Sequence, residues 1–312
     1  MYRQKAQLNA ETLREPLSRL LDWDADDIQL GFESSGHSGT VFRVYVTGPA
    51  GRSRDLVLKG DPDPNALRIY RDVLRPFGLN SPEVLGALEI GGKQWLVMKY
   101  IPHELPDWAD PQRYRRAVDW LLRKDAVANR NLAWLGELEY LEPFEAGDPG
   151  RRLEAIARSC NVQADPSLTR AWRDLLERRF QRAEEITPLL RQGPQTITHN
   201  DYQMLNILFG ESPNQEEMFV IDWTYPAIGS VCVDLASLVH VAPRELRPSI
   251  VDRYRRAAPF EPFEPIFAAA RAQVNLSVLT WMIEAIAEGQ SHAVHQGKLR
   301  EIVSELQEYF SA

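Results

Sequence analysis

Hydrophobic residues change their period part-way along this chain, and few folds accept both halves. From about 28 to 100 the sequence carries short β-type runs, TVFRVYV (40–46), DLVLK (55–59) and KQWLVMKY (93–100), set apart by the turn-rich stretches GPAGRSR and EIGG. These predict an antiparallel sheet. ALEI, just before a Gly-Gly pair, adds a further strand, and NALRIYRDVLRPF (65–77) interrupts the series with helical spacing. IPHELPDWADP (101–111) holds three prolines in eleven residues and reads as a connection between lobes. Beyond it, apolar residues recur at three- and four-residue spacing over 112–138, 167–190 and 265–289. The exception is 196–222, where TIT, NILF and MFVID are short β-type runs around HNDYQML. The expected architecture is α+β: a small N-terminal antiparallel β-lobe over 1–100 and a larger α-rich lobe over 101–312, with a short hairpin embedded in it.

Composition bounds the function. With 312 residues, 44% of them apolar and 26% charged, the chain can bury a large core. A formal net charge of −8 argues against a nucleic-acid partner, which calls for concentrated Lys and Arg on one face. The two RYRR clusters, at 113–116 and 253–256, sit among acids in helical segments and read as solvated faces. Cys160 and Cys232 lie far apart with no CxxC spacing, so neither a disulfide framework nor a zinc site is indicated. The N-terminus has no apolar leader-like core, and no run approaches a membrane span. The expected setting is the reducing cytoplasm, with neither membrane nor nucleic acid as partner.

The chemistry concentrates in HNDYQMLNILF (199–209). Asp201 and Asn206 lie on a loop that runs straight into an apolar strand, and Asp222 ends the next β-type run, FVID. If 206–209 and 218–222 pair as a hairpin, Asn206 and Asp222 emerge at the same end. Two hard oxygen donors beside a further carboxylate suit Mg²⁺, which takes one or two carboxylates together with phosphates and water. Phosphoryl transfer needs that set, plus an acid to receive the proton of the attacking hydroxyl. The plainer reading is that Asp201 and Asn206 cap a turn and Asp222 merely ends a strand. Gly229 and Asp234, in GSVCVDLA, extend the pattern, with Gly229 read as a turn position.

HNDYQMLNILF followed by FVIDWTYPAIGSVCVDLASLV resembles the signature of the aminoglycoside phosphotransferase and choline kinase superfamily, small-molecule kinases with a protein-kinase-like bilobal fold. The resemblance is specific over 197–239 and looser over about 28–102. It implies Asp201 as catalytic base, Asn206 and Asp222 as Mg²⁺ ligands, His199 as a brace of the loop and Asp234 as a hydrogen-bond acceptor behind it. In ESSGHSGTVFRV, Ser35, Gly36, His37, Ser38 and Gly39 would form a phosphate-approaching turn, although a GxxG is equally an ordinary hairpin turn. Lys59, closing LVLK, resembles the kinase lysine that pairs with the α- and β-phosphates. LVMKYIP resembles the hinge: the backbone around Lys99, Tyr100 and Ile101 would meet the base of ATP or GTP, with Met98 at the back of that pocket. A methionine there is as readily a core residue.

The resemblance also implies a glutamate in the helix after Lys59, and the sequence departs from it. Ala66 and Ile69 stand where the acid is sought, leaving Asp61, Asp63 and Asp72 as the nearest substitutes. That gap motivates an alternative, a catalytically impaired nucleotide-binding module. A metal-dependent hydrolase on the same acids ranks below both, since one loop supplies few ligands. Gln203 two positions after the base, DWT in place of DFG, and six residues between Asp222 and Gly229 are unlike a protein kinase. The acceptor is therefore a small-molecule hydroxyl, on a sugar, an amino alcohol, a choline-like amine or an aminoglycoside. Gln203, Trp223, Tyr225, Trp281 and Glu284 are candidates to contact it, the aromatic and acidic ones by cation–π and carboxylate contacts to an amine. Core packing of the tryptophans is the competing reading.

Overall fold

The structure is a computed structural model that describes residues 8–36, 39–104, 107–141, 143, 184–210, 217–287 and 292–311, without the side chains of 32–36, 39, 283–287, 292–296 and 311. The helix expected over 167–190 falls largely outside the described residues. The chain forms two compact units, Met1–Pro106 with Leu205–Tyr225, and Asp107–Met204 with Pro226–Ala312. It belongs to the α+β class, with an antiparallel sheet in the first unit and mostly helices in the second.

The first unit holds β1 (Asp27–Gly36), β2 (Gly39–Thr47), β3 (Ser53–Gly60), β4 (Val84–Ile90) and β5 (Lys93–Lys99), ordered β1-β2-β3-β5-β4 and antiparallel throughout. Alternation sets which residues face the core. Val44, Val46, Leu56 and Leu58 point to one face, where Leu13 and Leu17 of helix α1 (Ala10–Leu21) complete a buried cluster with Trp95 and Val97. Lys59 follows Leu58 and so projects to the opposite face. Helix α1 was not expected, although Asn9 caps it through a reciprocal bond pair with Thr12. The segment 65–77 is helical as expected: α2 (Ala66–Arg68) runs into a wider, π-type turn over Ile69–Leu74 that buries Ile69, Tyr70, Val73 and Leu74.

A second, three-stranded sheet of this unit joins β6 (His103–Glu104), β8 (Ile207–Gly210) and β9 (Met218–Val220). The expected hairpin of 206–209 and 218–222 is therefore present. Its strand β6, drawn from the proline-rich connection, was not foreseen.

The second unit contains α3 (Pro111–Arg130), α4 (Leu132–Gly136), α5 (Ile186–Gln192), α6 (Val231–Val241), α7 (Arg247–Ala257), α8 (Phe263–Ala287) and α9 (His292–Ser311). β7 (Gln195–Thr198) pairs with β10 (Ala227–Ser230) in a two-stranded ladder. Gly229 lies inside that ladder, opposite Thr196, and not in a turn, because the chain leaves FVID into a strand. Among the described residues no helix is long and apolar enough to cross a membrane.

Four helices of this unit converge on a charged cluster around His240. Its Nδ1 lies 2.9 Å from Asn275 Oδ1, and its carbonyl accepts from Lys298 and Arg247. Arg247 also bonds Glu301 at 2.8 Å, while Asn275 and Arg271 both bond Glu305. Burial first, then the positive charge of Lys298, lowers the His240 pKa from 6.5 to about 4, against the opposing pull of Asn275 and Glu305. Between those values the unfolded chain binds a proton that the folded one does not. Stability at His240 is thus complete above pH 6.5 and is lost as pH falls towards about 4. Denaturation of wild type and His240→Asn across that window is expected to show wild type losing on the order of 2–3 kcal/mol more than the variant.

Candidate active site

In the first unit, the hairpin brings Asn206 and Asp222 to one end. Ile207 stands opposite Val220, and the Ile221 N–H donates to the Asn206 carbonyl at 3.0 Å. Asp222 then leaves the strand with φ of 63°, a left-handed conformation that costs a non-glycine residue energy and turns its side chain out of the ladder. Lys59 meets it there: Nζ lies 2.5 Å from Asp222 Oδ1 and 3.3 Å from the Thr224 hydroxyl, with the lysine 9% exposed. The Thr224 hydroxyl donates to the same Oδ1, and the Thr224 N–H to the Asp222 carbonyl. The acid paired with Lys59 is thus Asp222, 163 residues away in sequence. Asp72, the helix candidate, lies beside its neighbour Arg71 at 2.6 Å.

What the helix does contribute is Tyr70. Its buried hydroxyl takes hydrogen bonds from the backbone amides of Trp223 and Asp222, and burial, reinforced by the nearby Asp222 charge, pushes its pKa well up, keeping it protonated. Asn206 and Asp222 together offer an amide and a carboxylate oxygen, the hard-donor chemistry Mg²⁺ takes beside phosphates. Among the described residues no three His, Cys, Asp or Glu gather into a site that could hold a metal by protein ligands alone.

In the second unit, the loop after β7 is held from behind. The His199 N–H donates to both oxygens of Asp234 at 3.0 Å, and the Asn200 N–H to Oδ1 at 3.0 Å. Asn200 has a φ of 64°, so the loop turns sharply just before Asp201. The Asp201 N–H donates to His199 Nδ1 at 3.3 Å, and Gln203 Nε2 donates to Asp201 Oδ1 at 2.7 Å. Tyr202 is anchored below, stacked on Trp120 and donating to the Ala117 carbonyl.

Beneath Asp234 lies Lys124, fully buried, with Nζ 2.7 Å from Asp234 Oδ2, 2.7 Å from the Ile197 carbonyl and 3.0 Å from Asp125. Burial alone would lower its pKa, but the Asp125 and Asp234 charges more than offset that, so the net shift is upward and the ammonium persists. Asp125 is shifted up by burial, partly countered by Lys124 and by the Tyr254 hydroxyl that donates to it at 2.6 Å.

The remaining expected residues scatter. Gly36 and Gly39 stand opposite each other at the end of the β1–β2 hairpin; His37 and Ser38, and the Ser35 side chain, lie outside what is described. Met98 is buried opposite Val57, beside Lys59's strand. The Lys99 and Tyr100 amides are engaged within the unit, by the Glu83 and Asp55 carbonyls, and the Ile101 carbonyl by His103 Nδ1. Arg43 stacks 3.7 Å over the Tyr100 ring while gripping Asp55 with two nitrogens. Trp223 is a core residue, 1% exposed, whereas Tyr225 and Trp281 expose 68% and 39%. Glu284 falls among the side chains not described.

Comparison with known proteins gives these groups a setting. The family model of the phosphotransferase enzyme family, APH, matches residues 34–269. The chain belongs to that family. No curated protein sequence matches it. Similar solved structures include the choline kinase LicA of Streptococcus pneumoniae, at TM-score 0.65 and 14% identity over 96% of this chain and 99% of that one. An aminoglycoside phosphotransferase of Alicyclobacillus acidocaldarius follows at 0.62 and 13%, over 99% and 96%. A spectinomycin phosphotransferase, solved in complex with ADP and spectinomycin, gives 0.62 and 10%, over 97% and 98%. At such identities the structures establish the shared kinase-like fold.

For a phosphotransferase of this family, sequence reasoning left out Lys124, Asp125, Tyr254, Tyr70 and Thr224. Lys124 had a signal: it occupies the apolar stripe of α3 with Ala117, Leu121 and Ala128, where a solvated lysine has no place. Tyr70 had none, since it acts across a long stretch of chain, and Thr224 had none, since a threonine two residues after an acid is an ordinary turn residue. Replacing Lys124 by methionine leaves two carboxylates without their cation, and is expected to lower unfolding free energy by about 3–5 kcal/mol in urea titrations. An unchanged midpoint would show that the ion pair does not brace the loop.

Proposed function

We propose that this phosphotransferase is an ATP- and Mg²⁺-dependent kinase that phosphorylates a hydroxyl of a small molecule in the cytoplasm. The observation supporting this most directly is the meeting of Lys59 with Asp222 at the mouth of the hairpin that also carries Asn206. Phosphoryl transfer calls for a phosphate-binding lysine and a metal-holding aspartate in one site, and the two stand here in direct contact. Asn206 and Asp222 would hold Mg²⁺, which when bound neutralises phosphate charge in the transition state. Lys59 would exchange Asp222 for the phosphates. The base of the nucleotide would lie along Met98 and the Ile101 amide, since the Lys99 and Tyr100 amides are engaged within the sheet unit. The Gly36–Gly39 turn would approach the phosphates.

Asp201 acts as the base in this reading. Gln203 orients its carboxylate, and His199 and Asp234 fix the backbone that carries it. The substrate oxygen forms its bond to the γ-phosphorus as the bond to the leaving ADP breaks, and its proton passes to Asp201 and then to solvent. Hydroxylated amines, sugars and aminoglycosides are the acceptors to screen; the exposed rings of Tyr225 and Trp281 suit a cationic group. The impaired-module alternative loses its motive, because Lys59 has an acidic partner after all.

The test is ADP release across such a panel, with Asp201→Asn as control. The variant is expected to keep ADP affinity while kcat falls about 10²–10⁴-fold. Turnover equal to wild type would remove Asp201 from the mechanism, and no Mg²⁺-linked stabilisation by ATP in thermal melts would remove the kinase reading itself.

A further inference from the structure

The helix that follows Lys59 in sequence brings no acid to it, yet the helix is not idle. Its buried Tyr70 hydroxyl receives the backbone amides of Asp222 and Trp223. Those amides flank the point where the backbone enters its left-handed turn, at φ 63°. Tyr70 therefore secures the main chain on which the carboxylate stands.

Thr224 secures the carboxylate itself. A hydroxyl can donate one hydrogen bond and accept another. Thr224 uses both capacities here: it donates to Asp222 Oδ1 and sits 3.3 Å from the Lys59 ammonium. Its backbone N–H closes the turn onto the Asp222 carbonyl at 2.9 Å. Lys59 and Thr224 both act on one oxygen, Oδ1. They differ in what happens when a nucleotide arrives. The lysine is drawn towards the phosphates, whereas the threonine hydroxyl, two residues along the same turn, has no such competitor.

We propose that Thr224 is a positioning residue whose hydroxyl holds the Asp222 carboxylate in one orientation as Lys59 passes to the phosphates, and so sets the divalent-cation dependence of nucleotide binding. Tyr70 fixes the backbone beneath it. The inference rests on the kinase reading, with Asp222 as a metal ligand. It assigns to a threonine in DWT and a tyrosine in the helix the restraint of the aspartate that pairs with Lys59.

The experiment measures ADP affinity of the full chain by calorimetry, with and without saturating Mg²⁺, in wild type, Thr224→Val, Thr224→Ala, Thr224→Ser and Tyr70→Phe. Valine keeps the shape and removes the hydroxyl. The gain in ADP affinity on adding Mg²⁺ is expected to shrink about 10-fold in Thr224→Val and Thr224→Ala, the loss typical of one hydrogen bond to a charged group. Affinity without Mg²⁺ should stay near wild type, Thr224→Ser should restore the gain, and Tyr70→Phe should reduce it in part. Should valine misfold, alanine and serine carry the same comparison. A full Mg²⁺ gain in the valine or alanine variant overturns the proposal. So does a serine variant as weak as valine, or a loss equal with and without Mg²⁺. Wild type with no Mg²⁺ gain at all overturns the kinase reading along with it.

Discussion

A carboxylate with no exposed surface, Asp234, is the interaction around which the helical unit is arranged. An ion buried that deeply is tolerable only with a counter-charge and filled acceptor positions. Lys124 supplies the charge from α3, and the His199 and Asn200 amides fill the acceptors from the loop after β7. The demand runs both ways. Those two amides sit at the start of a sharply turned loop, and the aspartate accepts from both of them. Asp125 and Tyr254 extend the network to α7, which leaves one cation facing two carboxylates, and burial pushes Asp125 upward against the pull of Lys124 and of the Tyr254 hydroxyl.

The sheet unit meets the same problem by similar means. Asn200 and Asp222 are both non-glycine residues in the left-handed region, and each adjoins or is a candidate functional acid. Such a conformation costs roughly 1–3 kcal/mol and persists only where neighbours over-determine it. At Asn200 the restraint is Asp234; at Asp222 it is Tyr70 on the amides and Thr224 on the carbonyl and carboxylate. In each unit the acid sits on backbone that could not hold its shape without a buried partner from elsewhere in the chain.

That arrangement explains what the sequence could disclose. The strands, the 206–222 hairpin and the helical period of α3 and α8 follow from spacing within a dozen residues, so they were legible. The family signature over 197–239 was legible because its polar residues interrupt apolar runs. The partner of Lys59 was sought a turn or two away, in the next helix, and lies 163 residues on, where no local period reports it. Trp223 was weighed for an acceptor pocket because aromatic residues serve cores and pockets equally well, and only burial separates the two. Gly229 reads as a turn because glycine usually marks one, yet it lies in β10 and pairs with Thr196 of β7. Helix α1 carries its capping pair in Asn9 and Thr12, a short polar signal that many turns share.

The charges near the two acids also differ in kind. Asp222 lies against a full ammonium, so the pair is neutral until a competing anion draws the lysine away. Asp201 is oriented by the amide of Gln203, which donates a hydrogen bond without adding charge. A lysine at that position would neutralise the carboxylate as Lys59 neutralises Asp222. With glutamine, the direction of the carboxylate is fixed by a neutral donor. On the proposed reading, Gln203 therefore steers the base where a protein kinase would carry a lysine, and so bears on the exclusion of protein substrates.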